Sequence, residues 1–384
     1  MSDERVYLDH AATTPLAPAV LEAMRPFFAE RGYNPSGLHA ESRAARDALE
    51  EARRRVAAVL GCEPGELVFT GSGSEGANLA IKGAADGARR AARNRVVVTP
   101  IEHHAVLGAA EYLRRYRDFK VDHASVDANG AVDREAFERL LGADVAVVSV
   151  GYANNEVGTV QPLSDLADGV RASGALLHTD AVQAPGALPL DVDALGVDLL
   201  SIAAHKFYGP KGVGALYVRR GARVVPQVQG GTQEKGRRAG TENVAGIVGL
   251  AAALDLAERN RDANVAHNRA LGRRLRAGLA EIDGVRFNGD PERRLANNTS
   301  VCIADVKTEG LLLQLDRAGL AVSSGSACTS ASLEPSHVLL AMGIAPELAG
   351  GSLRITTGPD NRSEDMDRLL EVLGEIVPRL RAGS

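Results

Sequence analysis

The run Ala175-Leu176-Leu177-His178-Thr179-Asp180 contains the pattern that decides the fold. It is largely apolar and ends in an acidic residue. Similar runs occur at residues 96–99, 145–150, 198–202 and 214–218. Apolar runs that are continuous rather than alternating are typical of strands in a parallel sheet covered on both faces. Stretches with helical periodicity, such as residues 162–173, lie between them, and this alternation predicts a doubly wound α/β domain.

The chain changes character towards its C-terminus. From about Ala245, a long helix rich in Ala, Leu and Arg is predicted to run towards Ile282. Short strand-like runs and helical stretches follow it, at residues 299–303, 308–318, 351–356 and 362–379. We therefore expect a large domain at residues 15–255 and a smaller α+β domain formed by residues 1–14 and 256–384.

Composition narrows the class of protein. The 384 residues are 45% hydrophobic, enough for a large core, and carry a formal net charge of −5 with both signs spread along the chain. No basic block suggests nucleic-acid binding, and no apolar run approaches the ~20 residues of a membrane span. The N-terminal run Met1-Ser2-Asp3-Glu4-Arg5 lacks the layout of a signal peptide. We expect a cytoplasmic protein that binds neither nucleic acid directly nor a membrane, and no pattern predicts a metal site.

The three cysteines argue against a disulfide framework in a chain of this length. Cys302 lies in an apolar strand-like run and Cys62 follows a helix end, so both are predicted to be structural. Cys328 differs, because the small and polar residues around it bury little surface. We predict that residues 323–335 form an exposed, mobile loop and that Cys328 is present for its reactivity.

Lys206 and Asp180 form the most informative pair of polar residues. Lys206 follows the strand-like run at 198–202, and Asp180 ends the run quoted first. Either residue alone would be interpreted as a surface lysine or a strand-end aspartate. Pyridoxal phosphate (PLP) requires both from its protein, a lysine that forms a Schiff base and a carboxylate that keeps the pyridine nitrogen protonated. The pair therefore predicts a PLP enzyme, with Asp180 at the strand edge where open α/β sheets bind ligands.

A turn rich in glycine and serine, Thr70-Gly71-Ser72-Gly73-Ser74-Glu75-Gly76, links a predicted strand to a predicted helix. Its backbone N–H groups can approach a phosphate, and a helix N-terminus favours negative charge. Ser74 is predicted to cap the helix and to bond the phosphate. Taken alone, the turn fits an ordinary capped turn equally well. Its glycines also match the dinucleotide-binding spacing, but no early βαβ unit with an acidic partner about 20 residues later is evident.

Several longer motifs occur in order along the chain: Leu8-Asp9-His10-Ala11-Ala12-Thr13-Thr14, Asn34-Pro35-Ser36, Glu102-His103-His104, Asn154-Asn155-Glu156, His178-Thr179-Asp180-Ala181-Val182-Gln183, Ala204-His205-Lys206, Arg238-Ala239-Gly240-Thr241 and Ser324-Gly325-Ser326-Ala327-Cys328. Together they resemble the PLP-dependent cysteine desulfurases of the NifS/IscS type, over nearly the whole chain. The extended segment 323–335 resembles that type rather than the SufS type, in which this loop is shorter. The resemblance implies fold type I of the PLP-dependent transferases, with a mixed, mostly parallel sheet in the large domain plus a smaller α+β domain.

The same resemblance implies roles around the cofactor ring. Lys206 would form the Schiff base and move the proton at the substrate Cα, while Asp180 would bond the pyridine nitrogen. His103 would stack on the ring and transfer protons. Asn155 and Gln183 would bond the phenolic oxygen of the ring, since both are neutral donors.

The resemblance also implies a phosphate site and a substrate site. The phosphate would be held by Gly73, Ser74, His205 and Thr241. Because Thr241 would reach in from a second subunit, a homodimer is implied. Arg354 would grip the substrate carboxylate in a bidentate manner, with Asn34 and Asn155 lining the same pocket. One position departs from the family, which often has a serine where this chain has Ala203. Either one phosphate contact is missing, or Ser72 or Ser201 supplies it.

The implied reaction converts L-cysteine to L-alanine and leaves the sulfur on Cys328 as a persulfide. An iron–sulfur scaffold protein or a tRNA-thiolation relay would then accept the sulfur. Another PLP enzyme of the same fold, such as a selenocysteine lyase or an aminotransferase, is the nearest alternative. A thiol hydrolase using Cys328 with His337 has no use for Lys206, Asp180 and the phosphate turn together, and a non-catalytic scaffold has no use for Lys206 and Cys328.

Overall fold

The computed structural model describes residues 5–325 and 335–382. Its strands are β1 (Val6–Tyr7), β2 (Leu67–Thr70), β3 (Arg95–Val98), β4 (Lys120–His123), β5 (Val145–Ser149), β6 (Leu176–Asp180), β7 (Leu199–Ala203), β8 (Gly214–Val218), β9 (Val285–Phe287), β10 (Asn298–Ile303), β11 (Leu320–Ala321) and β12 (Ser352–Thr356). Seven of them form a central sheet in the spatial order β2-β8-β7-β6-β5-β3-β4. The five apolar runs that define the sequence pattern all lie in this sheet, as β3, β5, β6, β7 and β8.

One strand of the central sheet runs against the others. β8 pairs antiparallel with both β2 and β7, whereas the pairs that join β4, β3, β5, β6 and β7 are all parallel. The apolar pattern of β8 does not reveal its direction, because a strand buried on both faces is continuous in either case. The short connection at residues 204–213 does reveal that β8 is antiparallel to β7, since parallel neighbours need a crossover of a dozen or more residues. The expected mixed, mostly parallel sheet is confirmed.

Helices cover both faces of this sheet. The helices of the described ranges are α1 (Pro18–Met24), α2 (Ala40–Leu60), α3 (Gly73–Ala88), α4 (His104–Tyr116), α5 (Arg134–Leu140), α6 (Leu163–Ser173), α7 (Val192–Leu195), α8 (Val244–Arg259), α9 (Arg261–Leu279), α10 (Thr308–Arg317), α11 (His337–Ala341), α12 (Pro346–Ala349) and α13 (Ser363–Ala382). One apolar cluster contains side chains of α2, α6 and α8, and a second contains those of α3 and α4, on the opposite face. None of the helices described has the length and apolar character needed to cross a bilayer.

A third apolar cluster organises the C-terminal part of the chain. There β10 lies between β9 and β12 in an antiparallel sheet, which packs with α9, α10 and α13. Val6 and Leu8 join this cluster, and β1 pairs with β11, so the N-terminal strand packs beside the C-terminal elements. The expected small α+β unit is therefore present in the fold. The exact division at residues 255–256 stays a prediction.

The prediction of one long helix from Ala245 towards Ile282 is wrong. The chain forms two helices, α8 and α9, which meet at Asn260. α8 is buried on nearly all sides within the first cluster, whereas α9 buries only one side against the third. The two helices therefore pack against different cores. Asparagine suits such a break, because its side chain competes with the helical backbone for hydrogen bonds.

A buried ion pair anchors the segment that leads to Thr241. Arg53 on α2 donates two hydrogen bonds to the carboxylate of Glu234, at 2.8 and 2.9 Å, and both side chains are less than 5% exposed. The Phe69 backbone N–H also donates to Glu234, at 2.9 Å. Glu234 has φ of 46°, a left-handed conformation that costs free energy in a non-glycine residue. The ion pair and the backbone contact together hold Glu234 in this conformation.

Glu234→Ala is expected to destabilise the protein by about 3–5 kcal/mol, because it leaves the buried charge of Arg53 without its partner. Glu50→Ala is the matched control: Glu50 also pairs with Arg53, but its side chain is 44% exposed, so its loss should cost about 1 kcal/mol or less. Urea unfolding of both variants at pH 7 measures the difference. Equal losses for the two variants would contradict the assigned role of Glu234.

Candidate active site

The carboxyl ends of the central strands open into a cavity of about 450 Å³. β6 and β7 are parallel neighbours, so Asp180 at the end of β6 lies at the same sheet edge as the turn that follows β7. The cavity brings together nine of the residues predicted to bind cofactor or substrate: Gly73, Ser74, His103, Asn155, Asp180, Gln183, His205, Lys206 and Arg354. Open α/β sheets place their ligands at this edge.

Lys206 enters the cavity from the three-residue turn Ala204–Lys206 that follows β7. Its ammonium group donates hydrogen bonds to the backbone oxygens of Ala11 and Ala12, at 2.6 and 2.8 Å. Gln183 donates to the same Ala11 oxygen from its side-chain amide, at 3.0 Å. The N-terminal segment therefore forms the wall against which the predicted Schiff-base lysine is positioned.

Asp180 presents a carboxylate whose position is set by the backbone. Its Oδ1 accepts a hydrogen bond from the Val182 N–H at 3.0 Å. Burial raises the pKa of Asp180, and the nearby His103 and Lys206 act in the opposite direction. A buried carboxyl in this environment is stabilised in its charged form by a cation that binds next to it. The protonated pyridine nitrogen of PLP is such a cation.

His103 caps helix α4. Its Nδ1 accepts a hydrogen bond from the Ala105 backbone N–H at 3.1 Å. In the neutral ring this contact places the proton on Nε2. His103 lines the cavity, whereas the ring of His104 packs on His337 with their centroids 4.6 Å apart. Of the two adjacent histidines, His103 is therefore the one in position to contact a ligand.

The predicted phosphate turn forms the start of α3, a helix of 16 residues. The prediction that Ser74 caps this helix is wrong, because Ser72 is the N-cap and its hydroxyl accepts the Glu75 N–H at 3.1 Å. A Cβ at Gly73 would lie 2.9 Å from Val182 Cγ2 and 3.1 Å from Ala203 Cβ. Only glycine therefore fits where the helix start meets the strand ends. The first N–H groups of α3 then face the cavity, which suits a phosphate.

His205 and one of two nearby serines are placed to contact a phosphate. Burial, together with the charges of Lys206 and Lys211, lowers the pKa of His205 to about 4, so its ring is neutral at pH 7. Of the two serines proposed to compensate for Ala203, Ser72 lines the cavity. Ser201 is buried and lies 3.2 Å from Nε2 of His178, away from the cavity lining. The side chains at this end of the cavity thus suit the phosphate group of PLP.

Arg354 lies on β12, in the small antiparallel sheet, and is only 1% exposed. Its Nη2 donates to Asp9 Oδ1 at 2.7 Å, and its Nη1 donates to the backbone oxygens of Asn155 and Gly325 at 3.1 and 3.2 Å. Nε has no hydrogen-bond partner among the described residues. Three of the five guanidinium N–H groups are thus in use, which leaves the Nε–H and one Nη2–H for a carboxylate that binds through two nitrogens.

Two of the predicted site residues that the structure describes are not part of the cavity lining. Asn34 and Thr241 are exposed, and Asn34 Oδ1 accepts the Ser36 N–H at 2.9 Å. Cys328 lies outside the described residues, as does most of the predicted loop 323–335. Of the other cysteines, Cys302 is fully buried, as predicted, and burial raises the pKa of the half-buried Cys62 to about 12.

The sequence interpretation missed two buried acids. Glu102 lines the cavity, and its Oε1 accepts hydrogen bonds from Thr99 Oγ1 and the Gly151 N–H, both at 2.8 Å. Glu156 accepts a hydrogen bond from the Ser336 hydroxyl, and burial raises its pKa. Each acid directly adjoins a residue that was singled out, His103 or Asn155. Their position next to these residues was the feature of the sequence that could have identified the two acids.

Comparisons with known proteins agree with this geometry. Residues 6–369 match the class-V aminotransferase family. The cysteine desulfurase IscS of Dictyoglomus turgidum is 45% identical over 377 residues, which cover 98% of this chain and 95% of that protein. A NifS-like protein of known structure has a TM-score of 0.91 at 38% identity, over 98% of this chain and all of its own. SspA, solved in complex with cysteine, has a TM-score of 0.79 at 34% identity, over 92% of this chain and 99% of its own.

The matched range includes each residue that lines the cavity, together with both the central sheet and the small antiparallel sheet. The expected fold class is confirmed, and the aminotransferase and selenocysteine lyase alternatives are not favoured. The chain is therefore an enzyme of the class-V aminotransferase family and belongs to the cysteine desulfurases of the NifS/IscS type.

Proposed function

We propose that this enzyme converts L-cysteine to L-alanine with PLP held by Lys206 and that it moves the sulfur to Cys328 as a persulfide. The observation that carries the proposal is the convergence of Lys206, Asp180 and Arg354 on one cavity. They supply an amine, a carboxylate and a guanidinium, which the cofactor carbonyl, the ring nitrogen and the substrate carboxylate respectively require. The cysteine bound in the similar SspA supports cysteine as the substrate.

PLP, when bound, supplies an electron-withdrawing ring that stabilises negative charge at the substrate Cα. The residues that would hold it are Asp180 at the ring nitrogen, Asn155 and Gln183 at the phenolic oxygen, and Gly73, Ser74 and His205 at the phosphate. His103, with its proton on Nε2, would cover the ring face. Each of these residues lines the cavity.

Lys206 and Arg354 would act on the substrate. Arg354 binds the carboxylate in a charge-assisted pair, through the Nε–H and the Nη2–H that make no contact with Asp9. This contact fixes the orientation of the substrate Cα. Lys206 then removes the Cα proton as general base and holds it for return, a role that suits an amine confined to one wall of the cavity.

Cys328 would act as a thiolate, since a thiol is a poor nucleophile. A sulfur–sulfur bond forms between Cys328 and the substrate sulfur while the substrate Cβ–S bond breaks. The electron pair of that bond stays on Cβ, which takes a proton and becomes the methyl group of alanine. The substrate carbon is reduced and the transferred sulfur is oxidised to the persulfide level, so no external oxidant is needed.

The proposal also covers the second subunit, the cellular compartment and the sulfur acceptor. We place Thr241 in the active site of a second subunit, as the family resemblance implies. Thr241 is exposed, and the segment before it is tied to the phosphate turn by the ion pair of Arg238 with Glu75 at 2.8 Å. We further propose that the homodimer works in the cytoplasm and passes sulfur to an iron–sulfur scaffold protein or a tRNA-thiolation relay.

The test is to incubate the purified protein with PLP and L-cysteine and to measure alanine and protein-bound persulfide. We expect alanine to accumulate in step with the sulfur released by a reducing thiol. Formation of the keto acid instead of alanine would identify an aminotransferase and overturn the proposal. Parallel incubation with L-selenocysteine determines whether the enzyme also accepts that substrate.

A further inference from the structure

Glu102 is a buried acid for which the proposed mechanism has no role. It is 3% exposed, and it lines the cavity together with Thr99 and Gly151. Thr99 follows β3 and Gly151 follows β5, two neighbouring parallel strands. Because Oε1 of Glu102 accepts a hydrogen bond from both residues, it joins the two strand ends beneath the cavity.

The second oxygen of Glu102 has a different environment. Oε2 is fully buried and has no hydrogen-bond partner among the described residues. A Cβ at Gly151 would lie 3.2 Å from Oε2 and 3.8 Å from the Asp180 backbone oxygen, so both atoms adjoin Gly151. An ionised carboxylate buried without a cation or a donor at one oxygen is costly, and the group becomes neutral instead.

The negative charge of Asp180 also favours the neutral form of the Glu102 carboxyl. Burial first, and the neighbouring Asp180 second, raise the pKa of Glu102 to about 8, although the bonds from Gly151 and Thr99 act in the opposite direction. Repulsion from an ionised Asp180 disfavours a second negative charge on Glu102. The cavity lining also contains the titratable or charged groups His103, His205, Lys206 and Arg354, and Nε2 of His337 lies 3.0 Å from the Glu102 backbone oxygen.

We propose that Glu102 is a positioning residue that works as a neutral acid: its acceptor oxygen joins the ends of β3 and β5, and its lack of charge leaves Asp180 as the anion facing the cofactor ring. Glu102 directly precedes His103, the N-cap of α4, so the same contacts set the backbone from which His103 reaches the cavity. This inference rests on the proposed cofactor site.

Glu102→Gln tests the neutral state, because an amide keeps the acceptor oxygen and cannot ionise. With PLP as the probe, we expect its affinity at pH 7 to match that of the wild type, whereas Glu102→Ala loses both hydrogen bonds and should bind PLP on the order of tenfold more weakly or worse. Glu111→Gln, on the exposed face of α4, is the control and should change nothing. An equal loss of affinity for Glu102→Gln and Glu102→Ala would overturn the proposal.

A second readout needs no cofactor and stays decisive if Glu102→Ala fails to fold. Infrared difference spectra of wild type minus Glu102→Gln should contain the C=O band of a protonated carboxylic acid at pH 7, and this band should disappear above about pH 8. Its absence at pH 7 would overturn the proposal. If the band is present but neither protein binds PLP, the cofactor assignment fails while the neutral Glu102 stands.

The proton on the Glu102 carboxyl also makes the free energy of unfolding depend on pH. The pKa of Glu102 rises from 4.5 in the unfolded chain to about 8 in the fold, so the folded state retains a proton that the unfolded state has lost. The contribution of Glu102 to the stability of the wild type should therefore fall as the pH rises across this window and level off above it. As the pH rises over the same range, the melting temperature of Glu102→Gln should increase relative to that of the wild type. Parallel curves for the two proteins would contradict a neutral Glu102.

Discussion

Lys206→Arg is expected to abolish covalent cofactor binding and to lower turnover of L-cysteine by about 10³-fold or more, a loss within the range for a general base that acts at the reacting atom. Arginine keeps the positive charge that bonds the Ala11 and Ala12 oxygens, so the wall of the cavity stays intact. It cannot form a Schiff base at neutral pH, because the guanidinium stays protonated. Borohydride reduction followed by peptide mass spectrometry shows whether the cofactor is attached at residue 206.

Lys211→Arg is the matched control. Lys211 is exposed and lies five residues further along the connection between β7 and β8, so its replacement should leave both cofactor attachment and turnover unchanged. Cofactor that is still attached covalently to the Lys206→Arg variant would show that another lysine forms the Schiff base. In that case the assignment of the cavity as the cofactor site would need revision.

Cys328→Ser is expected to reduce alanine formation from L-cysteine on the order of 10⁴-fold, as loss of a covalent nucleophile does in other enzymes. The hydroxyl of serine stays protonated at neutral pH and does not accept a sulfane sulfur. Bound PLP should keep its absorbance, because Lys206, Asp180 and the phosphate turn are unaltered. Assays of alanine, protein-bound persulfide and cofactor absorbance on one preparation separate the two functions.

Cys62→Ser provides the comparison. Cys62 is half-buried, and burial raises its pKa to about 12, so it is a thiol rather than a thiolate at pH 7. We expect this variant to form persulfide as the wild type does. Release of sulfide from L-cysteine by the Cys328→Ser variant at the wild-type rate would refute the role of Cys328 as the nucleophile.

Much of the fold could be predicted from the sequence because the central strands are buried on both faces. Burial forces each of them to be a continuous apolar run, and this pattern is visible without any tertiary information. The order of polar residues after those runs then placed Asp180 and Lys206 at one sheet edge. The direction of β8 was not visible in the same way, because burial alone does not depend on strand direction.

The helix start at the phosphate turn shows a second limit. Ser72 and Ser74 are both acceptable caps by residue type. The choice depends on where β2 ends and where α3 meets the strands, and at Gly73 the close approach of Val182 and Ala203 decides it. No local sequence pattern predicts how closely Val182 and Ala203 approach Gly73. The same limit applies to the long helix predicted beyond Ala245, which breaks at Asn260 because its two halves pack on different cores.

The sequence by itself determined five strands of the central sheet, the family and nine of the residues that line the cavity, because apolar periodicity and ordered motifs are properties of the chain as written. Only the tertiary structure decided how those residues are charged and paired. Arg354 comes from the small antiparallel sheet and meets Asp9 from the N-terminal segment. Glu102 loses its charge because two strand ends and Asp180 surround it. Burial and proximity set these properties, and both arise only when distant parts of the chain meet.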